Sequence, residues 1–446
     1  MRYLTTRAGR DGARPVSFTT ALLDGLAPDG GLYVPETIEP WTASELSRLP
    51  QRTLSELGLR TLRPFTRGDV DPATLEALTF EALNFPIPLV EIEPRVYALE
   101  LFHGPTLAFK DVGARVMARL MASIHEGEEP LTVLVATSGD TGSAVAHAFY
   151  RVPHTRVVIL YPDGRVSPTQ EAQLTMFNGE RANVRAYAVA GSFDDCHRLT
   201  RDAFGDADLR QAMRLTSANS VNVGRLLPQM IYYFHAVAQL MAAGVIAPAA
   251  QASDVVVSTP SGNFGNLTAG LMAKRSGLPI TRFIAATNAN DVVPSYLDTG
   301  RFEPRPSVQT LSNAMDVGHP SNFERMLWLY GGNLDAMRRD VVGVRHTDDD
   351  VRETIRQVYE QRGYLLDPHS AIGFRGLQSA VSGLGKNGVG VFLATAHPAK
   401  FAEVVDPIVG RPVEKPEALA AALARPRHII RIDASLDAVR GLLTSD

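Results

Sequence analysis

The chain has 446 residues and a formal net charge of −4 at pH 7, with 45% hydrophobic and 21% charged residues. These values indicate two or three globular domains, and the slight excess of acidic groups argues against nucleic acid as a partner. Because Cys196 is the single cysteine of the sequence, an intramolecular disulfide and a cysteine-based metal cluster are excluded.

Two stretches bear on where the protein works. The first residues, MRYLTTRAGRDGARP, lack the apolar core of a secretion signal. The most apolar stretch, AVAQLMAAGVIAPAA, contains Gln239, Gly244 and Pro248 and falls short of the ~20 residues of a membrane span. A reducing compartment also fits the cysteine content. We therefore expect a cytoplasmic protein without membrane contact.

Residues 1 to about 95 differ in composition from the rest of the chain. APDGGLYVPETIEP is rich in turn formers, whereas TASELSRLPQRTLSELGLRTL and DPATLEALTFEALN have the pattern of short helices. The proline-containing NFPIPLVEIEPR is the best candidate for a junction. We predict a separate N-terminal domain that ends near residue 95.

The segment LELFHGPTLAFKDVGARVMARLMASI, residues 99–124, predicts a helix opened by its Gly-Pro pair. At ~100° per residue, Asp111, Arg115 and Arg119 share one side of this helix, and apolar residues fill the other. Lys110 lies at the edge of the apolar side. Two interpretations are open for it: a stem that covers apolar surface, or a desolvated amine with a lowered pKa that can form a Schiff base.

From about residue 130 onward, apolar β-branched runs alternate with helical patterns. The strand candidates are LTVLVAT, TRVVILY, NVRAYAV, SDVVVST, TRFIAAT and GVGVFLAT. The helix candidates between them include SAVAHAFY, DDCHRLTRDAFG and LTAGLMAKRSG. This alternation indicates a mainly parallel α/β sheet with helices on both faces. Ligands of such sheets bind where the carboxyl ends of strands lead into helices.

Two strand-to-helix loops have the composition of an anion site. Residues 137–142 carry TSGDTG, and residues 262–266 carry GNFGN at the equivalent place of a second unit. Glycines let the backbone approach a ligand, and N–H groups at a helix start favour an anion. Either loop alone is better explained as a structural turn, because glycine turns are common at strand-to-helix junctions. Two such loops and one lysine amine together suggest pyridoxal phosphate, which needs an amine, a phosphate cradle and a partner for its ring nitrogen.

Other patterns favour no function. GLGKNG, residues 383–388, has the spacing of a dinucleotide motif but precedes a strand, so we interpret it as a helix end and tight turn. The sequence has no nucleotide-binding P-loop motif. His103, His369 and His397 lack a metal-ligand spacing, and we interpret them as hydrogen-bonded structural residues. No metal site is predicted.

Six segments together resemble the threonine synthase family of pyridoxal-phosphate enzymes: ELFHGPTLAFKD, ATSGDTG, SANSVN, PSGNFG, TLSNAMDVG and TAHPAKF. The N-terminal GLAPDGGLYVP resembles the opening domain of that family, and the similarity runs from about residue 3 to 405. The resemblance implies a tryptophan-synthase-β-like α/β fold (PLP fold type II), with two lobes of mainly parallel sheets and an N-terminal α+β domain. It also implies the division of the chain: an N-terminal domain of residues 1–95, a large cofactor-binding domain of 96–129 and 216–446, and a small domain of 130–215.

The resemblance implies that Lys110 holds pyridoxal 5'-phosphate as a Schiff base and then acts as the mobile acid and base. Asp140 is expected near the phenolic oxygen of the cofactor, and the Thr395 hydroxyl at its pyridine nitrogen. The residues expected around the cofactor phosphate are Gly262, Asn263, Phe264, Gly265 and Asn266, where several relatives have Asp at the last position.

The resemblance also implies which residues bind the substrate. The residues expected around the substrate carboxylate are Ser138, Gly139, Thr141 and Gly142. Those expected around the substrate phosphate are Ser217, Asn219, Asn222 and Arg225. For this second group a helix-capping role is an equally open interpretation, because Ser and Asn are common N-cap residues.

The implied reaction converts O-phospho-L-homoserine and water to L-threonine and phosphate by γ-elimination and β-addition, the last step of threonine biosynthesis. The protein is then expected to be a carbon–oxygen lyase whose partner is the small molecule O-phospho-L-homoserine. As its oligomeric state we expect a monomer or homodimer. One alternative is a serine/threonine dehydratase or other β-replacement enzyme of the same fold, which needs no second phosphate site. Further alternatives are a catalytically silent relative and a nicotinamide oxidoreductase.

Overall fold

The computed structural model describes residues 1–7, 14–125, 127, 129–137, 139–179, 183–247, 255–381 and 388–444. Residues 383–387 of the predicted GLGKNG turn and the predicted site residue Ser138 lie outside the described part. The strands are β1 Tyr3–Thr5, β2 Tyr33–Pro35, β3 Leu89–Glu93, β4 Val96–Glu100, β5 Leu131–Ala136, β6 Thr155–Pro162, β7 Val184–Val189, β8 Leu215–Ser217, β9 Val255–Pro260, β10 Arg282–Thr287, β11 Val341–Arg345, β12 Val389–Ala394 and β13 Ile430–Ile432.

Helices separate most of these strands. The α-helices are α1 Phe18–Asp24, α2 Ala43–Ser47, α3 Leu54–Thr66, α4 Pro72–Ala82, α5 Lys110–Ile124, α6 Asp140–Phe149, α7 Pro168–Thr175, α8 Phe193–Gly205, α9 Ala207–Ala212, α10 Val223–Leu226, α11 Met230–Ala242, α12 Gly265–Arg275, α13 Val292–Thr299, α14 Phe323–Tyr330, α15 Leu334–Asp340, α16 Asp348–Arg362, α17 Pro368–Val381, α18 Ala402–Val409, α19 Glu417–Ala424 and α20 Leu436–Thr444. Short 3₁₀ helices span Leu49–Gln51, Leu227–Gln229, Asn313–Met315 and Pro398–Phe401.

The N-terminal region combines a small antiparallel sheet with short helices. β1 pairs with β2, and helices α1 to α4 follow or separate these strands. Thr42 and Thr53 start α2 and α3 with capping boxes that Glu45 and Glu56 complete. Such a box satisfies two otherwise unpaired N–H groups at the helix start. The short helices predicted between residues 42 and 84 therefore begin where their capping residues stand.

The first large sheet has the strand order β11-β10-β9-β12-β4-β3 in the described chain. Its strands are parallel except for β3, which runs antiparallel to β4. Arg95 (φ 67°) lies in the tight turn that joins β3 and β4. The predicted N-terminal domain of residues 1–95 thus includes β3, a strand that belongs to this sheet, because a short hairpin connection keeps the two strands adjacent.

The second sheet has the order β13-β7-β6-β5-β8 and is parallel throughout. Its last strand, β13, pairs with β7, although the predicted division placed residues 216–446 in the large domain. The sequence pattern did not indicate β13, since three residues are too few to show a strand period. The mainly parallel α/β class expected from the alternating pattern is confirmed by both sheets, and the six predicted strands lie within two residues of their expected bounds.

The start of α5 differs from the prediction. Residues 99–100 end β4, and the helix begins at Lys110 and not directly after the Gly-Pro pair. Leu107 has a φ of 58°, and Ala108 forms a β-bridge with Ala396. These two residues keep the backbone non-helical up to Phe109. The long-range bridge between Ala108 and Ala396 thus outweighs the helix propensity of the local sequence.

The charged side of α5 is buried, not exposed. The carboxylate of Asp111 accepts hydrogen bonds from the N–H (2.9 Å) and hydroxyl (2.7 Å) of Thr106. Arg115 donates to the carbonyl of Ala82 at 2.8 Å. Each buried charge therefore has a partner, as burial requires, and α5 is fixed at its first turn and against the end of α4. None of the described helices has the length and apolar content needed to cross a membrane.

Candidate active site

Three neighbouring strands of the first sheet lead into the predicted cofactor residues. β9, β12 and β4 lie side by side and parallel. Residues 262–266 follow β9, and Thr395 follows β12. Lys110 begins α5, after the loop that follows β4. Because parallel strands end at the same edge of a sheet, these residues meet there. All of them line one cavity of ≈950 Å³.

Lys110 and Thr395 are held next to each other by the backbone. The N–H of Phe109 donates to the carbonyl of Thr395 at 2.9 Å, and the N–H of His397 donates to that of Leu107 at 3.0 Å. These two bonds fix the start of α5 against the end of β12. Lys110 and Thr395 both line the cavity.

The amine of Lys110 has no hydrogen-bond partner in the described chain, and its Nζ lies 5.8 Å from the ring centroid of Phe109. The pKa of Lys110 is lowered from 10.5 to about 8, chiefly by burial; the charge of Asp140 opposes this shift, and those of Lys400 and Arg225 add to it. Desolvation disfavours a charged amine. Of the two interpretations left open for Lys110, the geometry favours the desolvated amine.

The loop of residues 262–266 has the shape of an anion cradle. Phe264 adopts the left-handed conformation (φ 60°) immediately before α12. A Cβ at position 262 would lie 2.7 Å from Cα of Met315 and 2.8 Å from the carbonyl of Ala314, so only glycine fits there. Within the described chain, the N–H groups of Asn263 and Phe264 have no acceptor. Free N–H groups at a helix start bind phosphate well.

The two asparagine side chains of this loop are engaged with the protein itself. Asn263 donates to the hydroxyl of Ser220 and accepts from the N–H of Ser321, both at 2.5 Å. Asn266 donates to the carbonyl of Pro260 at 2.8 Å. Both side chains therefore shape the cradle, and the loop backbone is the part left free to bind an anion.

The second predicted loop, residues 137–142, closes on itself. The hydroxyl of Thr137 accepts from the N–H groups of Gly139 (3.0 Å) and Gly142 (2.8 Å). Asp140 and Thr141 line the cavity. Gly142 does not line the cavity. It packs against Leu174, and a Cβ added at position 142 would lie only 2.4 Å from Cδ2 of that leucine. The structure thus gives Gly142 a packing role in place of the predicted contact with substrate. Gly139 (φ 137°) allows the sharp turn into α6.

Asp140 has a partner that the sequence analysis missed. The Nζ of Lys400 lies 2.7 Å from Oδ1 of Asp140, and both side chains are buried. Burial alone would raise the pKa of Asp140, but Lys400 and Lys110 outweigh it and hold the pKa well below its usual range. Lys400 stands in the quoted TAHPAKF motif, so its type and position were visible, whereas its pairing was not.

The segment Ser217–Arg225 forms another wall of the cavity. Ser217, Asn219 and Arg225 line it, and Oδ1 of Asn219 is buried without a donor in the described chain. Arg225 donates to the carbonyl of Ala218 at 2.8 Å, while its Nε has no acceptor there. Burial lowers the pKa of Arg225 to about 10. A buried guanidinium with unused donors favours an anionic ligand.

Asn222 does not line the cavity, contrary to the prediction. Its amide donates to the carbonyls of Leu22 (2.8 Å) and Ser217 (2.9 Å) and accepts from the N–H of Gly224 (2.8 Å). These bonds use both atoms of the amide, so none is left for a substrate phosphate. The capping interpretation that had been left open is the correct one for this residue.

The cavity wall includes residues that no sequence pattern had indicated. His369, interpreted above as a structural residue, lines the cavity and is also hydrogen-bonded: its Nδ1 lies 2.6 Å from Oδ2 of Asp367, and its Nε2 accepts the N–H of Ala314 at 3.2 Å. The N-terminal region contributes Asp24, Leu26, Ala27, Pro28 and Gly30. Only the tertiary contacts bring these positions to the site. In the described chain no group of three His, Cys, Asp or Glu side chains could hold a metal ion.

These groups fit pyridoxal phosphate. The cofactor requires an amine, a phosphate site made of N–H groups and a partner for its ring nitrogen. Lys110 offers an unpartnered amine, the loop before α12 offers unpaired N–H groups, and Thr395, which lines the same cavity, offers a hydroxyl.

Comparison with known proteins agrees with this fit. Residues 82–395 match the family model "Pyridoxal-phosphate dependent enzyme", residues 2–83 match "Threonine synthase N terminus", and residues 370–443 match "Threonine synthase, C-terminal". Threonine synthase of Haemophilus influenzae is 47% identical over 405 residues, which is 91% of each chain.

Two solved structures are similar over nearly the whole chain. The crystal structure of threonine synthase from Escherichia coli is 41% identical with a TM-score of 0.90, covering 99% of both chains. PLP-bound threonine synthase from Brucella melitensis is 37% identical with a TM-score of 0.90, covering 99% of this chain and 98% of that one. The chain therefore belongs to the threonine synthase family of pyridoxal-phosphate-dependent enzymes.

Proposed function

We propose that this protein makes L-threonine and inorganic phosphate from O-phospho-L-homoserine and water. The observation that carries the proposal is that two groups line the same cavity: Lys110, whose amine has no partner in the described chain, and Arg225, whose Nε has no acceptor there. The amine suits proton transfer, and the guanidinium suits a second phosphate besides that of the cofactor. A dehydratase of the same fold has no need of the second group.

We assign the cofactor contacts as follows. Pyridoxal phosphate, when bound, withdraws electron density from the substrate carbons and so makes their protons removable. Lys110 would hold its aldehyde carbon, the backbone of residues 262–266 its phosphate, and the Thr395 hydroxyl its ring nitrogen. Asp140 is assigned to the neighbourhood of its phenolic oxygen. A neutral hydroxyl at the ring nitrogen leaves that nitrogen largely unprotonated.

Lys110 is assigned the proton transfers. The reaction removes protons from Cα and Cβ of the substrate, breaks the bond between Cγ and the phosphate oxygen, adds the hydroxyl of water at Cβ and returns protons to Cα and Cγ. An amine moves these protons only if it is neutral when it meets the substrate. The lowered pKa of Lys110, about 8, gives its amine a far larger neutral fraction near neutral pH than a solvent-exposed lysine has.

Arg225 is assigned the leaving phosphate, with Ser217 and Asn219 beside it. Its charge compensates the charge that develops on phosphate as the bond to Cγ breaks. Thr141 and the backbone around it are assigned the substrate carboxylate. We propose a cytoplasmic location, and a monomer or homodimer as the active form.

Two assays on the purified chain loaded with pyridoxal phosphate test this function. Phosphate release from O-phospho-L-homoserine should exceed ammonia release from L-threonine, whereas the reverse result would identify a dehydratase. Lys110→Ala should abolish turnover and also the borohydride-trapped cofactor label. Lys415→Ala, at an exposed lysine, is the matched control and should retain both. A labelled and active Lys110→Ala protein would contradict the assignment.

A further inference from the structure

Lys400 is a fully buried lysine for which the proposed reaction has no direct use. It lies in the 3₁₀ helix Pro398–Phe401 that follows β12, and its side chain is 0% exposed. Its Nζ lies 2.7 Å from Oδ1 of Asp140 and 2.8 Å from the carbonyl of Thr106. A buried ammonium group costs free energy unless it is paired in this way. The presence of a buried lysine at this place therefore suggests that Lys400 has a function.

The choice of lysine at this position is unusual for the chain. Of its 44 basic residues, 39 are Arg and five are Lys: Lys110, Lys274, Lys386, Lys400 and Lys415. Lys110 lines the cavity, and Lys400 contacts the cavity residue Asp140 from behind the wall. An ammonium group is a compact point charge, whereas a guanidinium is a planar fork that needs a wider set of acceptors. A point charge against one carboxylate oxygen is what Lys400 provides.

The ion pair joins three parts of the site. Lys400 follows the first sheet, Asp140 starts α6 of the second sheet, and the carbonyl of Thr106 belongs to the loop before α5. Gln170 also donates to Oδ1 of Asp140, at 3.2 Å, and Thr106 binds Asp111 in the first turn of α5. Asp140 is thus held at a defined place beside the start of the helix that carries Lys110.

The charged groups around Lys110 act on it in opposite directions. Asp140, on α6, stabilises the protonated amine, whereas Lys400 and Arg225 destabilise it. Asp111 lies on α5 itself and is bonded to Thr106, and His369 of α17 and Asp316 of the 3₁₀-helix loop face the same cavity. Asp140 and Lys400 are the one oppositely charged pair in direct contact among these groups.

We propose that Lys400 is a positioning residue that fixes Asp140 at the cavity wall through their ion pair. The two charges of this pair have opposite effects on the protonation of the Lys110 amine, and together they keep that amine ready to release its proton. The inference rests on the proposed role of Lys110. It requires that removing either member of the pair changes the acidity of Lys110, in opposite directions.

The full-length protein, freed of cofactor and grown with lysine labelled with ¹³C at Cε, provides the test. Five lysines give few enough signals to follow each titration by NMR, and Lys110→Ala identifies the Lys110 signal. In the wild-type protein we expect its midpoint near pH 8. Removing a neighbouring cation favours the protonated amine, so Lys400→Met should move the midpoint up by about 1 pH unit. Asp140→Asn should move it down by about the same amount.

The double variant Asp140→Asn/Lys400→Met should return the midpoint close to that of the wild-type protein, because both opposing charges are gone. Lys415→Met removes an exposed lysine and should leave the midpoint unchanged. If Lys400→Met does not fold, Lys400→Gln takes its place, and Asp140→Asn tests the opposite direction independently. A merely structural role would not produce shifts of opposite sign.

The outcomes separate this inference from the proposed function. A wild-type Lys110 that titrates near 10.5 contradicts the proposed role of Lys110 itself. A wild-type midpoint near 8 that stays unchanged or falls in folded Lys400→Met protein contradicts only the role of Lys400. A double variant that fails to return toward the wild-type midpoint also overturns it, since the two charges would then not act as a pair.

Discussion

Two buried arginines, Arg225 at the end of the segment Ser217–Arg225 and Arg325 packed against that segment, have different surroundings. Arg225 is 4% exposed and Arg325 is 0% exposed. Within the described residues, neither has a carboxylate at salt-bridge distance. Burial lowers the pKa of both, to about 10 for Arg225 and to about 9 for Arg325. By sequence, burial and charge the two side chains look alike.

The hydrogen bonds separate them. Arg325 donates to the carbonyls of Tyr33 (3.0 Å), Ser220 (3.2 Å) and Val221 (2.6 Å) and to Oδ1 of Asn322 (2.7 Å). It therefore ties the N-terminal region and the 217–225 segment to the start of α14. Its donors are used inside the protein, and it does not line the cavity.

Arg225 is nearly the reverse case. The one hydrogen bond of its side chain to a described residue goes to the carbonyl of Ala218, its Nε has no acceptor there, and the residue lines the cavity. A buried cation in this state is unfavourable until an anion arrives. Burial alone therefore does not identify an arginine that binds a ligand. An arginine that lines a cavity and has unused donors is the better candidate.

The largest effect is expected for the arginine with unused donors. Arg225→Gln should lower kcat/KM for O-phospho-L-homoserine by about 10³-fold, equivalent to about 4 kcal/mol, because a buried charge-assisted contact is lost. The free energy of unfolding should not decrease, since an uncompensated buried charge is removed. Phosphate-release kinetics and urea denaturation measure the two quantities. A loss of kcat/KM below about 10-fold would remove the distinction between the arginines.

A smaller effect of another kind is expected for Arg325. Arg325→Gln should lower the free energy of unfolding by about 3 kcal/mol, because the buried carbonyls of Tyr33 and Val221 lose their donor. Urea denaturation measures the loss. In the folded protein kcat/KM should fall less than in Arg225→Gln. If the stability of Arg325→Gln matched that of the wild-type protein, the internal hydrogen bonds of Arg325 would not be what holds the segment.

The smallest effect concerns two asparagines of the same segment and sharpens the comparison. Asn222→Ala should cost about 2 kcal/mol of stability, through loss of the α10 cap and of two buried hydrogen bonds, with little change in KM. Asn219→Ala is the matched variant; Oδ1 of Asn219 has no donor in the described chain. It should raise KM and leave stability nearly unchanged. Thermal unfolding and steady-state kinetics on both variants test the pair, and identical behaviour of the two would count against it.

The first-sheet side of the site was accessible from the sequence. A strand, a glycine loop and a helix in succession specify that residues 262–266 lie at a strand end, since hydrophobic period and glycine content are local properties. The same holds for Thr395 after β12. Lys110 was located correctly on its helix, although the helix begins later than the pattern indicated, because the bridge between Ala108 and Ala396 is a contact between distant parts of the chain.

The 217–225 side was not accessible in the same way. Ser, Asn and Arg in SANSVNVGR are equally suited to caps and to phosphate contacts, so their roles depended on what lies opposite each side chain. Asn222 meets the carbonyl of Leu22, roughly two hundred residues away in the sequence, as its amide contact shows. No local pattern distinguishes it from Asn219, which faces the cavity.

By itself the sequence determined the α/β class, the six long apolar strands with helices between them, the two glycine loops and the position of one lysine at a helix edge, because these follow from periodicity and residue type within short windows. The tertiary structure alone decided which charges are neighbours. It placed Lys400 on Asp140, left donors of Arg225 free and satisfied those of Arg325. Electrostatic effects depend on distance and burial, and both are set by parts of the chain that are far apart in sequence.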